Sequence, residues 1–173
     1  MPAKRCVSSR HGSNQMKNTP MDVLIIGTEP PCPRCDLLVR LVRDIAADTK
    51  QPIRLRHIAF HSQEAVELGR SMNLHVGTAK HVAKAANIAV DWETVSDLIS
   101  KKRQALGCTG EPADSWTPEL DEVLRPCQLA AHSVSYLMTP ILLVNGKVRH
   151  HGSVPTQQAI RGWLQGKQRD TGQ

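Results

Sequence analysis

The sequence predicts an α/β fold: a mixed sheet flanked by helices, with an inserted helical subdomain. Three observations predict it. The continuous apolar run Val23-Leu24-Ile25-Ile26 is followed closely by Cys32-Pro33-Arg34-Cys35 and then by apolar residues at helical spacing. A second run, Ile141-Leu142-Leu143-Val144, opens after Thr139-Pro140 and ends at Asn145-Gly146. Between these two blocks the apolar residues recur every three or four positions, which is the period of helices rather than strands.

Taken in order, residues 1–20 are polar and read as a disordered leader. Met21–Thr28 reads as a strand buried on both faces, because its apolar run does not alternate. Glu29-Pro30-Pro31 forces an extended loop. Pro33 suits the first position of a helix, where its missing N–H does no harm. Leu37, Leu38, Leu41, Val42 and Ile45 carry that helix to about Asp48. Pro52 opens a second strand, roughly Ile53–Phe60.

Residues 63–72, 79–90, 92–106 and 118–132 then carry helical spacing. Asp91 is placed to cap one of these helices, and Thr117-Pro118-Glu119 to start another. The loop from Gly107 to Ser115 separates them. After Ile141–Val144, Asn145-Gly146 supplies the positive φ angles of a two-residue hairpin turn, and Val148 to His151 is its return strand. A last helix from Pro155 or Thr156 places Ala159, Ile160, Trp163 and Leu164 on one face. The predicted organisation is therefore a leader (1–20), a sheet domain (21–61 and 136–166), a helical insertion (62–135) and a tail (167–173).

The chain has 173 residues, 40% apolar, enough for one well-buried domain with an insertion. Aromatics are only 3%, so the core must rest on Leu, Ile, Val and Ala. The net charge of +6 permits acidic partners, but much of it (Lys4, Arg5, Arg10, Lys17, Lys167, Arg169) lies at the ends, where solvated tails explain it. No run approaches the roughly 18 apolar residues of a membrane span, and no cleavable signal is evident. A cytoplasmic location is the expectation. There, an isolated C-x-x-C is a catalytic or metal-binding pair rather than a structural staple.

The element order of strand, C-x-x-C helix, strand, intervening helices, x-Pro, hairpin and final helix resembles the thioredoxin-like superfamily. The matching residues are Cys32-Pro33-Arg34-Cys35, Thr139-Pro140 and Ile141–Val148. The closing segment from Asn145 to Pro155 is similar to small bacterial and archaeal thioredoxin/glutaredoxin-like redox proteins. The resemblance covers about 22–60 and 136–165. Three departures stand out. Pro31 replaces the tryptophan that thioredoxins carry before the first cysteine. Ile26 stands where they have a buried acid, as in glutaredoxins. The insertion is longer than in thioredoxin and sits where DsbA-like oxidases carry a helical domain.

The resemblance implies a thiol–disulfide oxidoreductase. Cys32, at the helix start, would be the nucleophile, its thiolate favoured by the unpaired N–H groups and by Arg34. The bland reading of Arg34 is a solvated surface charge. Cys35 would resolve the mixed disulfide. Pro140 would be cis and face Cys32, turning the Thr139 backbone toward an extended substrate that pairs as an added strand. Glu29 could relay protons to Cys35 in place of the missing acid, against the plainer reading of an exposed loop residue. No bound cofactor is implied beyond the redox-active disulfide. The partners implied are a protein disulfide substrate and a reductase or low-molecular-weight thiol.

Cys108 and Cys127 could form a second redox pair, although Cys127 at a helix-face position reads equally as a small buried apolar group. With Cys32 and Cys35 they could also make a four-thiolate metal site. Only one C-x-x-C knuckle is present, however, and His150-His151 alternate across a strand, so no metal is expected. Residues 78–99 loosely follow a helix-turn-helix pattern. Asp91, Glu93 and Asp97 would set negative charge against phosphates, which argues against nucleic acid. The alternative function is a redox-sensing or metal-binding interaction protein that uses the same pair as a switch.

Overall fold

Val23 to Gly27 are buried without a break in β1 (Met21–Gly27), which requires neighbours on both edges and cover on both faces. The computed structural model, which describes residues 19–107 and 110–166, provides both. β2 (Ile53–Ala59) runs parallel to β1 on one edge, while β5 (Ile141–Val144) runs antiparallel on the other. β6 (Lys147–His151) pairs with β5 and completes a mixed sheet in the order β2-β1-β5-β6.

Successive side chains of β1 point to opposite faces. Val23 and Ile25 pack with Leu38 and Val42 of α1 (Pro33–Asp48) and Ile160 of α6 (Gln157–Leu164). Leu24 and Ile26 pack on the other face with Ala65 of α2 (Gln63–Ser71) and with Leu137, Ile141 and Leu143. The unbroken apolar run thus serves two cores. The β5–β6 turn has φ of 50° at Asn145 and 75° at Gly146, as its sequence predicts. The pairing slips by one residue beyond Leu143, making Arg149 the extra residue of a bulge.

The segment 62–135 differs from the helical insertion expected of it. It contains α2, α3 (Ala79–Ala86), α4 (Trp92–Ala105), α5 (Pro118–Ala130) and short 3-10 turns at Pro112–Ser115 and His132–Val134. Within it, β3 (His75–Gly77) pairs in parallel with β4 (Tyr136–Met138) as a second small sheet. Three-residue strands are too short to display a period of two, which is why the sequence pattern hides them. Asp91 caps α4 as predicted, accepting the Thr94 N–H at 3.0 Å. Val82, Leu120, Leu124, Cys127 and Met138 form this segment's own core. Adjacent β4 residues link the two halves: Leu137 enters the sheet core and Met138 the helical one.

The helical segment is also fastened to the first half of α1. Asp36 accepts the Ala113 N–H at 2.9 Å, and Arg40 pairs with Asp114 at 2.7 Å. Deeper in, Arg34 is buried, its Nε 2.7 Å from Asp121 Oδ1 in an ion pair lacking hydrogen-bond alignment. Its Nη2 donates to the Gly152 carbonyl. Asp121 Oδ2 in turn accepts from Trp116 Nε1 and the Val154 N–H, each at 3.2 Å. Among the described residues no helix is long and apolar enough to cross a membrane.

Removing one member of such a buried pair strands the other charge away from water. Arg34→Met is expected to lower unfolding free energy by about 3 kcal/mol in urea titration. The uncharged double variant Arg34→Met/Asp121→Asn is expected to recover most of that loss. Equal destabilisation of the single and double variants would show that the stranded Asp121 charge is not the source of the loss.

Candidate dithiol site

Cys32 is the N-cap of α1, with φ −77° and ψ 165°, and Pro33 occupies the first helical position. The chain enters the helix here because proline's fixed φ suits this position and its absent N–H has no partner to lose. Cys32 is half-buried at the helix mouth; Cys35, one turn inward, is fully buried. Their sulfurs lie 3.2 Å apart and share a hydrogen bond, so the pair is a dithiol.

That contact sets the electrostatics. With Cys32 ionised, the bridging proton is the one on Cys35. This hydrogen bond is the largest influence lowering the Cys32 pKa to about 6. Burial opposes it; the Cys35 backbone N–H, the Arg34 charge and the Thr28 hydroxyl assist. At pH 7 Cys32 is then about nine-tenths thiolate, where an ordinary thiol is a few per cent ionised. The Cys35 pKa moves the opposite way, raised first by its bond to Cys32, then by burial and by the neighbouring negative charge. One sulfur is prepared to attack and the other to keep its proton.

Two residues that sequence reasoning did not single out complete the site. Thr28, just after β1, accepts the Cys32 N–H at 2.8 Å through Oγ1 and reaches Cys35 Sγ at 4.0 Å. His57 sits on β2 opposite Ile25 of β1. A Cβ on Gly27 would lie 2.7 Å from both Cys35 Sγ and His57 Nε2, so glycine is needed where the dithiol meets the sheet. The available signal was the alternation Ile53, Leu55, His57, which puts an imidazole in line with core residues.

Arg34 is not the surface charge its sequence context suggests, because Asp121 and Gly152 bury it. Thr139-Pro140 is cis, as the resemblance implies, and Glu29-Pro30 is cis as well. Continuing the pairing of Ile26 with Ile141 by one step sets Pro140 across from Gly27. The Pro140 carbonyl accepts the Gly152 N–H at 3.0 Å, which links the bend to Arg34. The expected strand-pairing role of Thr139 needs correction. The residue is buried, and its N–H donates to the Gly77 carbonyl at 2.8 Å. β3, whose three residues leave no period to read, thus supplies the partner of that N–H.

Glu29 is exposed, and its charge acts on His57 rather than on Cys35. Cys127 is fully buried in the helical core, while Cys108 lies outside the described residues, as do residues 1–18 and 167–173. Among the described residues no three His, Cys, Asp or Glu side chains converge as a metal site would require. Comparison of the chain with protein-family models, curated proteins and solved structures gives no match.

Because the Cys35 hydrogen bond dominates the lowering, Cys35→Ala is expected to return Cys32 toward ordinary thiol behaviour. In the reduced wild type, iodoacetamide alkylation of Cys32 is expected to level off above pH 6 and fall tenfold per unit below it, as the thiolate is protonated. In Cys35→Ala the same curve is expected at least one unit higher. An unmoved inflection would mean that the helix end and Arg34 suffice.

Proposed function

We propose that this protein is a thiol–disulfide oxidoreductase of thioredoxin-like architecture, acting on protein disulfides through Cys32 and Cys35. The observation that carries the proposal is the asymmetric pair: a half-buried Cys32 of lowered pKa bonded at 3.2 Å to a buried Cys35 of raised pKa. Support for the architecture comes from the parallel β1–α1–β2 unit, the antiparallel β5–β6 hairpin beside β1 and the cis Thr139-Pro140 bend.

The chemistry follows from the two sulfurs. The Cys32 thiolate attacks one sulfur of a substrate disulfide; that S–S bond breaks, and the departing thiolate takes up a proton. Cys35 then gives up its proton and attacks Cys32 Sγ, releasing the second substrate thiol and closing the Cys32–Cys35 disulfide. Two electrons have passed from the protein dithiol to the substrate, and a reductase or low-molecular-weight thiol returns them. Every atom transferred is supplied by thiols and protons. With the Thr139 N–H bonded internally, the substrate disulfide meets Cys32 at the helix mouth rather than by joining the sheet.

The test is turnover on insulin disulfides with dithiothreitol as reductant. Wild type is expected to accelerate reduction, Cys32→Ser to fall to the uncatalysed rate, and Cys35→Ser to accumulate a mixed disulfide visible by mass. A wild-type rate equal to background, with the pair still oxidising reversibly, would instead identify a redox switch.

A further inference from the structure

His57 is a titratable side chain beside the dithiol to which the exchange chemistry above assigns no task. Its Nε2 is shielded from solvent and has no hydrogen-bond partner. A buried polar atom left unbonded costs stability and calls for an explanation. Here the explanation lies across Gly27. A Cβ on that residue would lie 2.7 Å from Cys35 Sγ and 2.7 Å from His57 Nε2, so thiol and imidazole converge on the space the glycine leaves.

We infer that His57 is the proton acceptor for Cys35 in the resolving step, taking the thiol proton across the space that Gly27 leaves open. This deepens the oxidoreductase reading and rests on it. As Cys35 Sγ bonds to Cys32 Sγ, its proton passes to Nε2. The S–S bond to substrate breaks, its electron pair leaves on the substrate sulfur, and the imidazolium returns the proton to that sulfur or to solvent. The substrate disulfide is the oxidant, so no further reactant is needed.

The surroundings suit the role. Burial lowers the imidazole pKa and keeps His57 neutral near pH 7, ready to accept a proton. Glu29 in the loop after β1 and Asp36 on α1 pull the other way and favour the imidazolium once it forms. Cys35 of α1 is the thiol facing it across the gap. Glu29 itself is exposed, so the acid expected from sequence to serve Cys35 leaves that task open.

The test separates attack from resolution. Reduced protein carrying Cys6→Ser and Cys108→Ser, which leaves the dithiol and the fully buried Cys127, is taken as the reference. It is mixed with 5,5′-dithiobis(2-nitrobenzoate), and its two chromophore releases are followed by stopped flow across pH 4.5 to 9. The first release reports Cys32 and the second reports Cys35. In the reference the second rate is expected to rise with pH and level off through an imidazole inflection. In His57→Asn it is expected to be about a hundredfold slower at pH 7, with that inflection gone and the first rate changed less than twofold.

An unchanged second rate and profile in His57→Asn would overturn the inference while leaving the oxidoreductase reading intact. Should that variant fold poorly, the reference alone decides. A second rate climbing tenfold per unit into the thiol range, without an inflection, overturns the inference. Absence of the first release would overturn both.

Discussion

A single proton held between two sulfurs organises this structure. Cys35 keeps it at pH values where most thiols are close to ionising, and Cys32 is a thiolate because Cys35 keeps it. For that to hold, the sulfurs must stay 3.2 Å apart with one reaching the surface and the other sealed. The local sequence meets each condition. Pro33 starts the helix immediately after Cys32, and the helical turn carries Cys35 inward. Gly27 allows the buried sulfur to approach the sheet, and Thr28 holds the Cys32 backbone. Leu38, Val42 and Ile45 fix the rest of α1 on β1.

The helical segment contributes to the same end from a distance. Its contacts fall on the first turns of α1, at Asp36, Arg40 and above all Arg34. Arg34 carries a buried positive charge that acts on Cys32, and Asp121 makes that burial tolerable. Through Gly152 the same guanidinium is tied to the Thr139-Pro140 bend, so the helix mouth, the bend and the helical segment share one polar junction. The Gly77 carbonyl at the end of β3 engages the Thr139 N–H, so of these groups the half-buried Cys32 sulfur at the helix mouth is the one that reaches the surface.

The sheet was legible because its strands carry strong local signals. Val23–Ile26 and Ile141–Val144 are continuous apolar runs, and Asn145-Gly146 fixes the turn chemistry. The dithiol was legible because C-x-x-C after a strand is a local pattern. What escaped is non-local. β3 and β4 exist only because they pair with each other across the helical segment, and three residues leave no period to read. Arg34 looked like a surface charge because its partner Asp121 lies 87 positions away along the chain. His57 was visible as an imidazole in a core-facing register, but the gap at Gly27 that gives it meaning is a three-dimensional fact.

The reduction potential of the Cys32–Cys35 couple, measured against glutathione, tests the shared proton most directly. A thiolate favoured at pH 7 stabilises the reduced form and makes the disulfide more oxidising. With Cys32 near 6, the potential should lie between about −270 mV, typical of a dithiol whose nucleophile titrates near neutrality, and about −120 mV, typical of a far more acidic one. A value below about −300 mV, the range of structural disulfides, would contradict it.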